Sequence, residues 1–210
     1  CGNAGIESAL AAVRTIIRET SASSPSPLAR PAHASVVPPP VCLISPGLRA
    51  SHLSAAIGKL PCNPAFGGIG KSQLLHELDA MGGVTGVAAD GGASASRLLQ
   101  RSRGPAVRAT RHLMDIVRYP QVLDDVVRKE LEELEAELGL PPPVLQVADP
   151  LPSWLSRVGP LYLVDGSVHD LILQDGRVVG ADVKVSDGSL VSLSSDAVVL
   201  TTGTFLGGRI

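Results

Sequence analysis

The sequence predicts an α/β fold, and three features of the 210-residue chain support this class. A helical segment over residues 8–19 precedes a short apolar strand over 41–45, which is the start of an α/β pattern. The second half of the chain contains strands joined by Asp-Gly turns, which are typical of hairpins. The apolar run over 196–202 is typical of a parallel strand that is buried on both faces. We therefore expect a parallel sheet with an antiparallel side sheet.

The composition indicates a chain that buries a core and does not span a membrane. Hydrophobic residues make up 44% of the chain and charged residues 18%, with a mean hydropathy of +0.25, which excludes wholesale disorder. No apolar run approaches the roughly 18 residues that a membrane-spanning helix needs. The net charge of −2 gives no overall attraction to nucleic acid, so such a partner would need a local basic patch.

The three cysteines, Cys1, Cys42 and Cys62, have neither metal-ligand spacing nor the pattern of a disulfide framework. No metal site is predicted, and a reducing compartment is expected. The chain opens without an initiator Met or a signal-like segment, so we expect a fragment that has lost its true N-terminus.

The first helix and strand are separated by a segment of low complexity. The helix over 8–19 carries its apolar residues on one face. The Ser/Pro/Ala-rich stretch over 21–40 contains six prolines, which oppose both helix and sheet. This stretch is therefore interpreted as a solvated insertion before the buried strand over 41–45.

Two further helices and a meander follow. One helix is predicted over 71–81, and another over 114–138 with a break near Tyr119-Pro120. The inner face of the first is expected to carry three leucines: Leu74, Leu75 and Leu78. Strands over 170–174, 177–185 and 189–193 are joined by turns at Asp175-Gly176 and Asp187-Gly188.

A small-residue turn opens the first helix. It consists of Gly2, Asn3, Ala4 and Gly5, and matches the second half of a GxGxxG turn, whose glycines let a pyrophosphate approach a helix N-terminus. The alternative is close packing of the helix on a sheet, which also needs small residues.

A glycine-rich turn at Gly67, Gly68 and Gly70 leads into the helix over 71–81. It is not a P-loop, because that motif needs glycine where Ala65 stands. Its backbone can bind an anion or can form a tight turn without a ligand. Cys62 lies just ahead, between two prolines; either it is an inert structural cysteine, or the rigid turn lowers the pKa of its thiol.

Five arginines fall within fifteen residues around a Gly-Pro-Ala-Val segment: Arg97, Arg101, Arg103, Arg108 and Arg111. They are either a solvated face or a contact surface for phosphate groups, for which guanidinium is a preferred ligand.

Several blocks of the chain together resemble the GidA/MnmG family, the flavoprotein half of the enzyme that modifies the wobble uridine of tRNA. The blocks are CGNAGIESA at the start, CNPAFGGIGKSQLLHELDAMGG over 62–83, RSRGPAVRATR over 101–111, Asp115 with Tyr119, and VVLTTGTFLGGRI over 198–210. The sequence departs from the family at Ser96, where an aromatic residue is usual, and after Ser45, where no acidic ribose contact follows. The insertion over 21–40 suggests a eukaryotic member, which would be mitochondrial; a bacterial one would be cytoplasmic.

The resemblance implies a fold and a cofactor. The fold is a glutathione-reductase-type FAD-binding Rossmann domain whose first strand is missing, with parallel strands over 41–45 and 198–202. Residues 161–193 would form a β-meander side sheet. The whole chain, 1–210, would be a partial FAD-binding domain that lacks the family's NAD-binding insertion and its C-terminal tRNA-binding region.

The resemblance also implies which residues contact FAD. The pyrophosphate would lie over Gly2, Asn3, Ala4 and Gly5. The isoalloxazine side would be faced by Asn63, Gly67, Gly68 and Gly70, with further flavin contacts near Val107 and Arg108. Val168 would supply a backbone contact on the adenine side, and Thr201, Gly203 and Thr204 would close on the flavin nucleotide.

The family's chemistry moves a one-carbon unit from methylenetetrahydrofolate to C5 of the wobble uridine, with NADH as reductant and an MnmE-type GTPase as partner. Cys62 matches the candidate nucleophile, and Lys71 would assist with an anionic intermediate or a phosphate. tRNA contacts are expected at Arg103, Arg108 and Arg111, and the full-length protein is expected to be a homodimer. The alternatives are a generic FAD-dependent oxidoreductase that acts on a small molecule, and an inactive flavin-fold binding module.

Overall fold

The structure is a computed structural model that describes residues 2–21, 40–60, 63–138, 151–203 and 206. Four α-helices and eight strands lie in these ranges. The helices are α1 (Asn3–Ser21), α2 (Ser72–Ala80), α3 (Thr85–Gly92) and α4 (Arg118–Leu138). The strands are β1 (Val41–Ser45), β2 (Ala65–Gly67), β3 (Ala93–Leu99), β4 (Ala109–Met114), β5 (Leu155–Val158), β6 (Leu161–Gln174), β7 (Arg177–Val185) and β8 (Leu190–Ser194).

The larger sheet joins a parallel strand pair to an antiparallel meander. β1 pairs in parallel with the first part of β6, from Val41 opposite Leu161 to Ser45 opposite Asp165. The later part of β6 pairs antiparallel with β7, which pairs with β8. β6 therefore belongs to both halves of the sheet, because its 14 residues are long enough to continue past the end of β1.

Helices cover one face of the larger sheet. Apolar residues of α1 and α4 pack with β1 and the start of β6 in the main core, whose largest fully buried members include Leu10, Ile17, Leu123, Leu131 and Leu161. Arg14 of α1 and Glu130 of α4 form an ion pair at 2.7 Å above this core. A second cluster around Trp154, Tyr162 and Val183 lies apart from the main core, along β5, β6 and β7. Successive side chains of β6 point to opposite faces of the sheet, so they contribute to two separate cores.

A smaller antiparallel sheet, in the order β2-β4-β3, was not expected from the sequence. Its strands mix small, polar and apolar residues without a clear alternation between apolar and polar positions. α3 was also missed, because three of its eight residues are glycines, which are poor helix formers. Packing requires two of them: a methyl group on Gly91 would overlap Val122, and one on Gly92 would overlap Tyr119.

Three details differ from the expected elements. α1 begins at Asn3 rather than residue 8, and α4 runs unbroken through Pro120, because proline is tolerated in the first turn of a helix. Leu74 is 63% exposed and does not lie on the inner face of α2. Of the insertion expected over 21–40, residues 22–39 lie outside the described part of the chain.

The segment over 196–202, expected to be a buried parallel strand, forms no strand in the structure. Its side chains are largely exposed, as Val199 (70%) and Leu200 (56%) illustrate. An apolar strand is stabilised by the strands beside it, and among the described residues no strand pairs with this segment. Its sequence pattern alone is therefore insufficient to place it in the sheet.

Candidate functional site

The turn before α1 is open to solvent on its outer side. The Gly2 carbonyl accepts hydrogen bonds from the N–H groups of Gly5 (3.1 Å) and Ile6 (3.3 Å), so the helix begins directly after Gly2. Gly2 and Ala4 are exposed, whereas Gly5 is buried. A Cβ atom built on Gly2 would meet no atom within 4 Å. Among the described residues there is therefore no steric reason for glycine at position 2.

Asn3 connects the start of α1 to the start of α4. The Tyr119 hydroxyl donates to Asn3 Oδ1 at 2.9 Å, and the ring of Tyr119 is fully buried with its centroid 5.0 Å from that of Phe66. Burial raises the pKa of Tyr119 well above its usual range, so the hydroxyl stays protonated and acts as a donor. The Asn3 side chain is thus engaged within the protein and joins the start of α1 to α4.

Asp115 and Tyr119, noted in the sequence as a spaced pair, have complementary roles in starting α4. Asp115 Oδ1 accepts hydrogen bonds from the N–H groups of Val117 (2.8 Å) and Arg118 (2.9 Å). These two backbone bonds hold the pKa of the exposed Asp115 carboxyl below its usual range. Asp115 therefore caps the helix that carries Tyr119.

Glu7 of α1 makes a contact with α3 that the sequence did not indicate. Its Oε1 atom accepts from the Thr85 N–H at 2.7 Å and from the Thr85 hydroxyl at 2.5 Å, and Thr85 is buried at the first position of α3. The carboxylate thus satisfies an N–H group at the start of α3 and joins that helix to α1. Nothing in the local pattern around Glu7 indicates this, because Thr85 is 78 residues away.

The glycine-rich turn at Gly67, Gly68 and Gly70 connects β2 to α2, and all three glycines have positive φ. The Gly68 N–H donates to the Thr110 carbonyl at 2.8 Å, while the Gly68 carbonyl accepts from the N–H groups of Lys71 and Ser72. A Cβ atom on Gly67 would overlap the Thr110 carbonyl, whereas one on Gly68 or Gly70 would meet nothing within 4 Å. The fold therefore requires glycine at position 67, whereas the Cβ positions of Gly68 and Gly70 are open.

The predicted site residues that flank this turn are Cys62 and Asn63 before it and Lys71 after it. Asn63 and Lys71 are exposed, and the Met114 N–H donates to the Pro64 carbonyl at 2.7 Å, which brings the Asn63 segment next to the start of α4. Cys62 lies outside the described residues. Cys42 on β1 is an unsuitable nucleophile, because burial raises the pKa of its thiol to about 11.

All five arginines of the basic segment are exposed. Arg97 lies on β3 and Arg111 on β4, while Arg101, Arg103 and Arg108 lie in the connection between these strands. That connection includes Val107, which is 40% exposed, and a hydrogen bond of 3.3 Å from Arg108 Nη2 to the Arg101 carbonyl. Within the described residues, none of the five forms an ion pair with a carboxylate. Ser96, where the resemblance predicted an aromatic residue, bonds His112 Nδ1 at 2.7 Å.

The carboxyl end of β1 is occupied by a buried acidic residue from the neighbouring strand. Asp165, opposite Ser45 on β6, is 5% exposed and accepts from the Gly47 N–H at 2.6 Å and from Arg49 Nε at 2.8 Å. Burial opposes ionisation of Asp165, but the hydrogen bonds from Arg49 and Gly47 outweigh it and lower its pKa. Both carboxylate oxygens are used within the protein, so Asp165 holds the turn after β1.

Val168 presents its backbone at an open sheet edge. The backbone of Asp165 faces the side of β6 on which β5 and β7 lie. Its N–H donates to the Trp154 carbonyl, just before β5, and its carbonyl accepts from the Ser186 N–H, just after β7. β1 therefore pairs with the opposite side of β6. Hydrogen-bonded pairs alternate along an antiparallel ladder, so the N–H and C=O groups of Val168 point away from β7, towards the edge that β1 leaves open. The register also shifts between Val168 and Asp170, as at a β-bulge.

The other predicted contacts at the end of the chain are only partly described. Thr201 is half-buried and Gly203 is exposed with a positive φ, while Thr204 lies outside the described residues. The structure brings Asn3 to the start of α4 through Tyr119, and brings the Asn63 segment next to the end of β4.

Two cavities border these features. An open groove of about 470 Å³ lies at the start of α4 and is lined by Lys59, Leu60, Ile116, Val117 and Pro120, among others. A smaller cavity of about 100 Å³ lies between the small sheet and helices α2 and α3. In the described ranges, no three His, Cys, Asp or Glu side chains are grouped so that they could hold a metal ion. None of the described helices is both long and apolar enough to cross a membrane.

Comparison with known proteins identifies relatives over most of the chain. The family model described as glucose inhibited division protein A matches residues 1–137. The tRNA uridine 5-carboxymethylaminomethyl modification enzyme MnmG of Caldicellulosiruptor saccharolyticus is 37% identical over 155 residues, which are 74% of this chain and 20% of that protein.

Two crystal forms of Aquifex aeolicus GidA have a similar structure. Form I superposes with a TM-score of 0.58 at 27% identity, covering 97% of this chain and 24% of that one. Form II gives 0.53 at 26% identity, covering 91% and 22%. The likeness confirms the predicted α/β fold class, and the chain spans about a fifth to a quarter of the length of the relatives that it matches.

Proposed function

The chain belongs to the glucose inhibited division protein A family, as its motifs predicted, and from this we propose that it is the dinucleotide-binding part of an FAD-dependent enzyme that modifies uridine in tRNA. The observation that carries the proposal is the turn at Gly2, which opens α1 and where a Cβ atom would meet none of the described atoms within 4 Å. Nothing in the described part of the chain requires glycine there, whereas an approaching pyrophosphate does.

The start of α1 suits the pyrophosphate of FAD. At the start of a helix, N–H groups that the helix does not pair attract an anion, together with the helix dipole. In α1 the N–H groups of Gly5 and Ile6 already donate to the Gly2 carbonyl, so those of Asn3 and Ala4 are the ones proposed to face the phosphates. Exposed Gly2 and Ala4 let the phosphates approach the backbone, while Gly5 is buried against the protein. Asn3 is fixed by Tyr119, which keeps the turn in one conformation before a ligand binds.

The adenine half of FAD fits the open edge of β6. α1 leads into β1 and is expected to run antiparallel to it, so its N-terminus lies at the same end of the sheet as the carboxyl end of β1. Val168 lies just past this end of β1, three residues beyond the last β1–β6 pair, and its N–H donor and C=O acceptor face the side of β6 that β1 leaves open. One donor and one acceptor side by side complement the edge of an adenine ring.

The flavin half is assigned to the glycine-rich turn and its neighbours. Gly68 and Gly70 leave open space where side chains would otherwise stand, and Asn63 is exposed beside them. We further assign Gly67, Val107, Arg108, Thr201, Gly203 and Thr204 to this half. When bound, FAD supplies the redox chemistry of the reaction, and the chain's role is to bind and orient it.

The residues proposed for the chemistry are Cys62 and Lys71. A thiolate at Cys62 would add to C6 of the uridine and make C5 nucleophilic, and the thiol would leave once C5 is substituted. The exposed ammonium of Lys71 would neutralise a phosphate or an anionic intermediate. Methylenetetrahydrofolate is proposed as the one-carbon donor, and NADH as the reductant.

The basic segment is proposed to contact tRNA through Arg103, Arg108 and Arg111, which are exposed and have no carboxylate partners among the described residues. A GTPase of the MnmE type is the proposed protein partner, and the complete polypeptide is proposed to be a homodimer. Because the chain spans only a fifth of its curated relative, these proposals concern the complete polypeptide that carries it.

The variant Gly2→Val tests the cofactor assignment in that polypeptide. A Cβ atom there meets none of the described atoms within 4 Å, so folding should be preserved while the pyrophosphate is blocked. The control is Ala11→Val, on the exposed side of α1. We expect the flavin absorbance to be lost in Gly2→Val alone; a normal flavin content in both variants would contradict the placement of the pyrophosphate.

The variant Cys62→Ser tests the chemistry separately. It should fold and bind FAD, but the modified uridine should disappear from tRNA of cells that carry only this variant, as measured by mass spectrometry of digested nucleosides. Normal levels of the modified nucleoside would exclude Cys62 as the nucleophile. A flavin-containing protein that does not bind tRNA would point instead to an oxidoreductase that acts on a small molecule.

A further inference from the structure

Arg97 and Arg111 occupy directly opposed positions in the small sheet. Arg97 on β3 pairs with Arg111 on β4, and Gly67 on β2 pairs with Arg111 from the other side. Side chains of directly paired residues lie on the same face of a sheet, with Cβ atoms roughly 5 Å apart. The two side chains therefore leave the sheet next to each other, in a row that ends at the glycine-rich turn.

This row lies on the solvent side of the small sheet. Both arginines are exposed, and Leu113, two residues along the same face, is 51% exposed. Successive residues of a strand alternate between faces, and His112 on the opposite face lies near Asp90 of α3, at 3.5 Å. The helices thus pack on the His112 face and leave the arginine face open.

The pairing of Arg97 with Arg111 costs electrostatic energy in the absence of a ligand. Like charges placed directly across a strand pair repel each other, and none of the described carboxylates forms an ion pair with either arginine. Gly67, the third member of the row, adds no side chain that could shield them. A bound anion between the guanidinium groups would remove the repulsion.

We propose that Arg97 and Arg111 together grip a single phosphate group of the polynucleotide substrate. Guanidinium is the side chain best matched to phosphate oxygens, and two of them on one face can contact one group from both sides. Exposed Arg101, Arg103 and Arg108 continue the positive surface beyond the end of the strands, as the backbone of a nucleic acid requires. The inference rests on the proposed function and adds Arg97, and the sharing of one phosphate, to it.

A set of three variants tests the shared contact: Arg97→Gln, Arg111→Gln and the double variant. The control is Arg177→Gln, an exposed strand arginine whose directly opposed residue is the neutral Gln174. The affinity of the complete polypeptide for tRNA is measured between low and high KCl. Loss of one shared phosphate should lower the slope of log K against log[KCl] by about 0.7 to 0.9 in the double variant, with no change in the control.

Without tRNA, each single variant should unfold at the same or a higher temperature than the wild type, since it relieves the repulsion. A fall in the slope by about 1.4 to 1.8 in the double variant would mean two separate phosphates and would overturn the shared grip. An unchanged slope, with flavin content intact, would overturn the contact while leaving the proposed function in place.

If the wild type does not bind tRNA at all, the proposed function is refuted. The phosphate site at Arg97 and Arg111 is then tested separately, with inorganic phosphate as the ligand. Phosphate at constant ionic strength should then raise the unfolding temperature of the wild type and of Arg177→Gln more than that of the double variant. An equal rise in all three would overturn the phosphate site itself.

Discussion

Replacing single glycines of the turn between β2 and α2 distinguishes a glycine that the fold needs from one that leaves room for a ligand. Gly67 and Gly70 both have a left-handed backbone, with φ of +76° and +71°. A methyl group on Gly67 would overlap the carbonyl of Thr110, whereas one on Gly70 would project into open space. The variants Gly67→Ala and Gly70→Ala therefore share the backbone strain and differ only in the clash.

The expected magnitudes follow from this difference. A left-handed conformation costs an L-residue roughly 1–2 kcal/mol, and this applies to both variants. In Gly67→Ala the overlap also forces Thr110 and the turn apart, which breaks the 2.8 Å hydrogen bond from the Gly68 N–H to the Thr110 carbonyl and costs about 1 kcal/mol more, with packing strain of similar size. We expect a loss of about 3 kcal/mol or more for Gly67→Ala and about 1 kcal/mol for Gly70→Ala.

Thermal unfolding is the appropriate assay, followed by flavin absorbance of the folded variants. For a domain of this size these losses correspond to a fall in Tm of roughly 6–12 °C for Gly67→Ala and 2–4 °C for Gly70→Ala. Gly70→Ala should nevertheless lose more flavin than its stability loss explains, because its methyl group enters the proposed flavin space. Equal changes in Tm for the two variants would refute the steric argument, and a normal flavin content in Gly70→Ala would refute the placement of the flavin.

Three further predictions concern residues that the structure places in defined environments. Tyr119→Phe removes the hydroxyl that donates to Asn3 and should lower the free energy of unfolding in urea by about 1 kcal/mol; no change would mean that the bond does not fix α1. The lowered pKa of Asp165 stabilises the fold above its ordinary pKa and loses that contribution as the pH falls through the lowered value, so Asp165→Asn should be less stable than the wild type at neutral pH, with a difference that shrinks below about pH 4 in urea titrations. Cys42, with its thiol pKa raised to about 11, should react with iodoacetamide at pH 7 far more slowly than a free cysteine; rapid labelling in mass spectra would contradict its burial.

The sequence predicts those parts of the fold that depend on local patterns. α1, β1 and the strands β7 and β8 follow from apolar periodicity and from Asp-Gly turns, both of which act over a few neighbouring residues. The small sheet and α3 are not predictable in this way. Three of the eight residues of α3 are glycines, and two of these are needed because α4 passes too close for a side chain, which is a tertiary requirement.

In the candidate site, too, local features can be predicted from the sequence and long-range contacts cannot. The turn at Gly2 and the glycine-rich turn are visible in the sequence, because small residues at the start of a helix are a local feature. The pairing of Glu7 with Thr85 and of Asp165 with Arg49 is not visible, since each joins residues far apart in the chain. The acidic residue sought after Ser45 illustrates this: one does lie at the end of β1, but on β6, in register through strand pairing.

Glycines in a motif are evidence for a ligand only where the protein itself does not require them. Gly67 is required by the Thr110 carbonyl, so its presence says little about a cofactor. Gly70 is required in part, through its left-handed backbone. Gly2 has no such steric requirement among the described residues, because none of their atoms lies within 4 Å of its missing Cβ atom. The argument for a bound pyrophosphate therefore depends on Gly2 more than on the conspicuous run at Gly67–Gly70, and Gly2→Val is the more informative substitution.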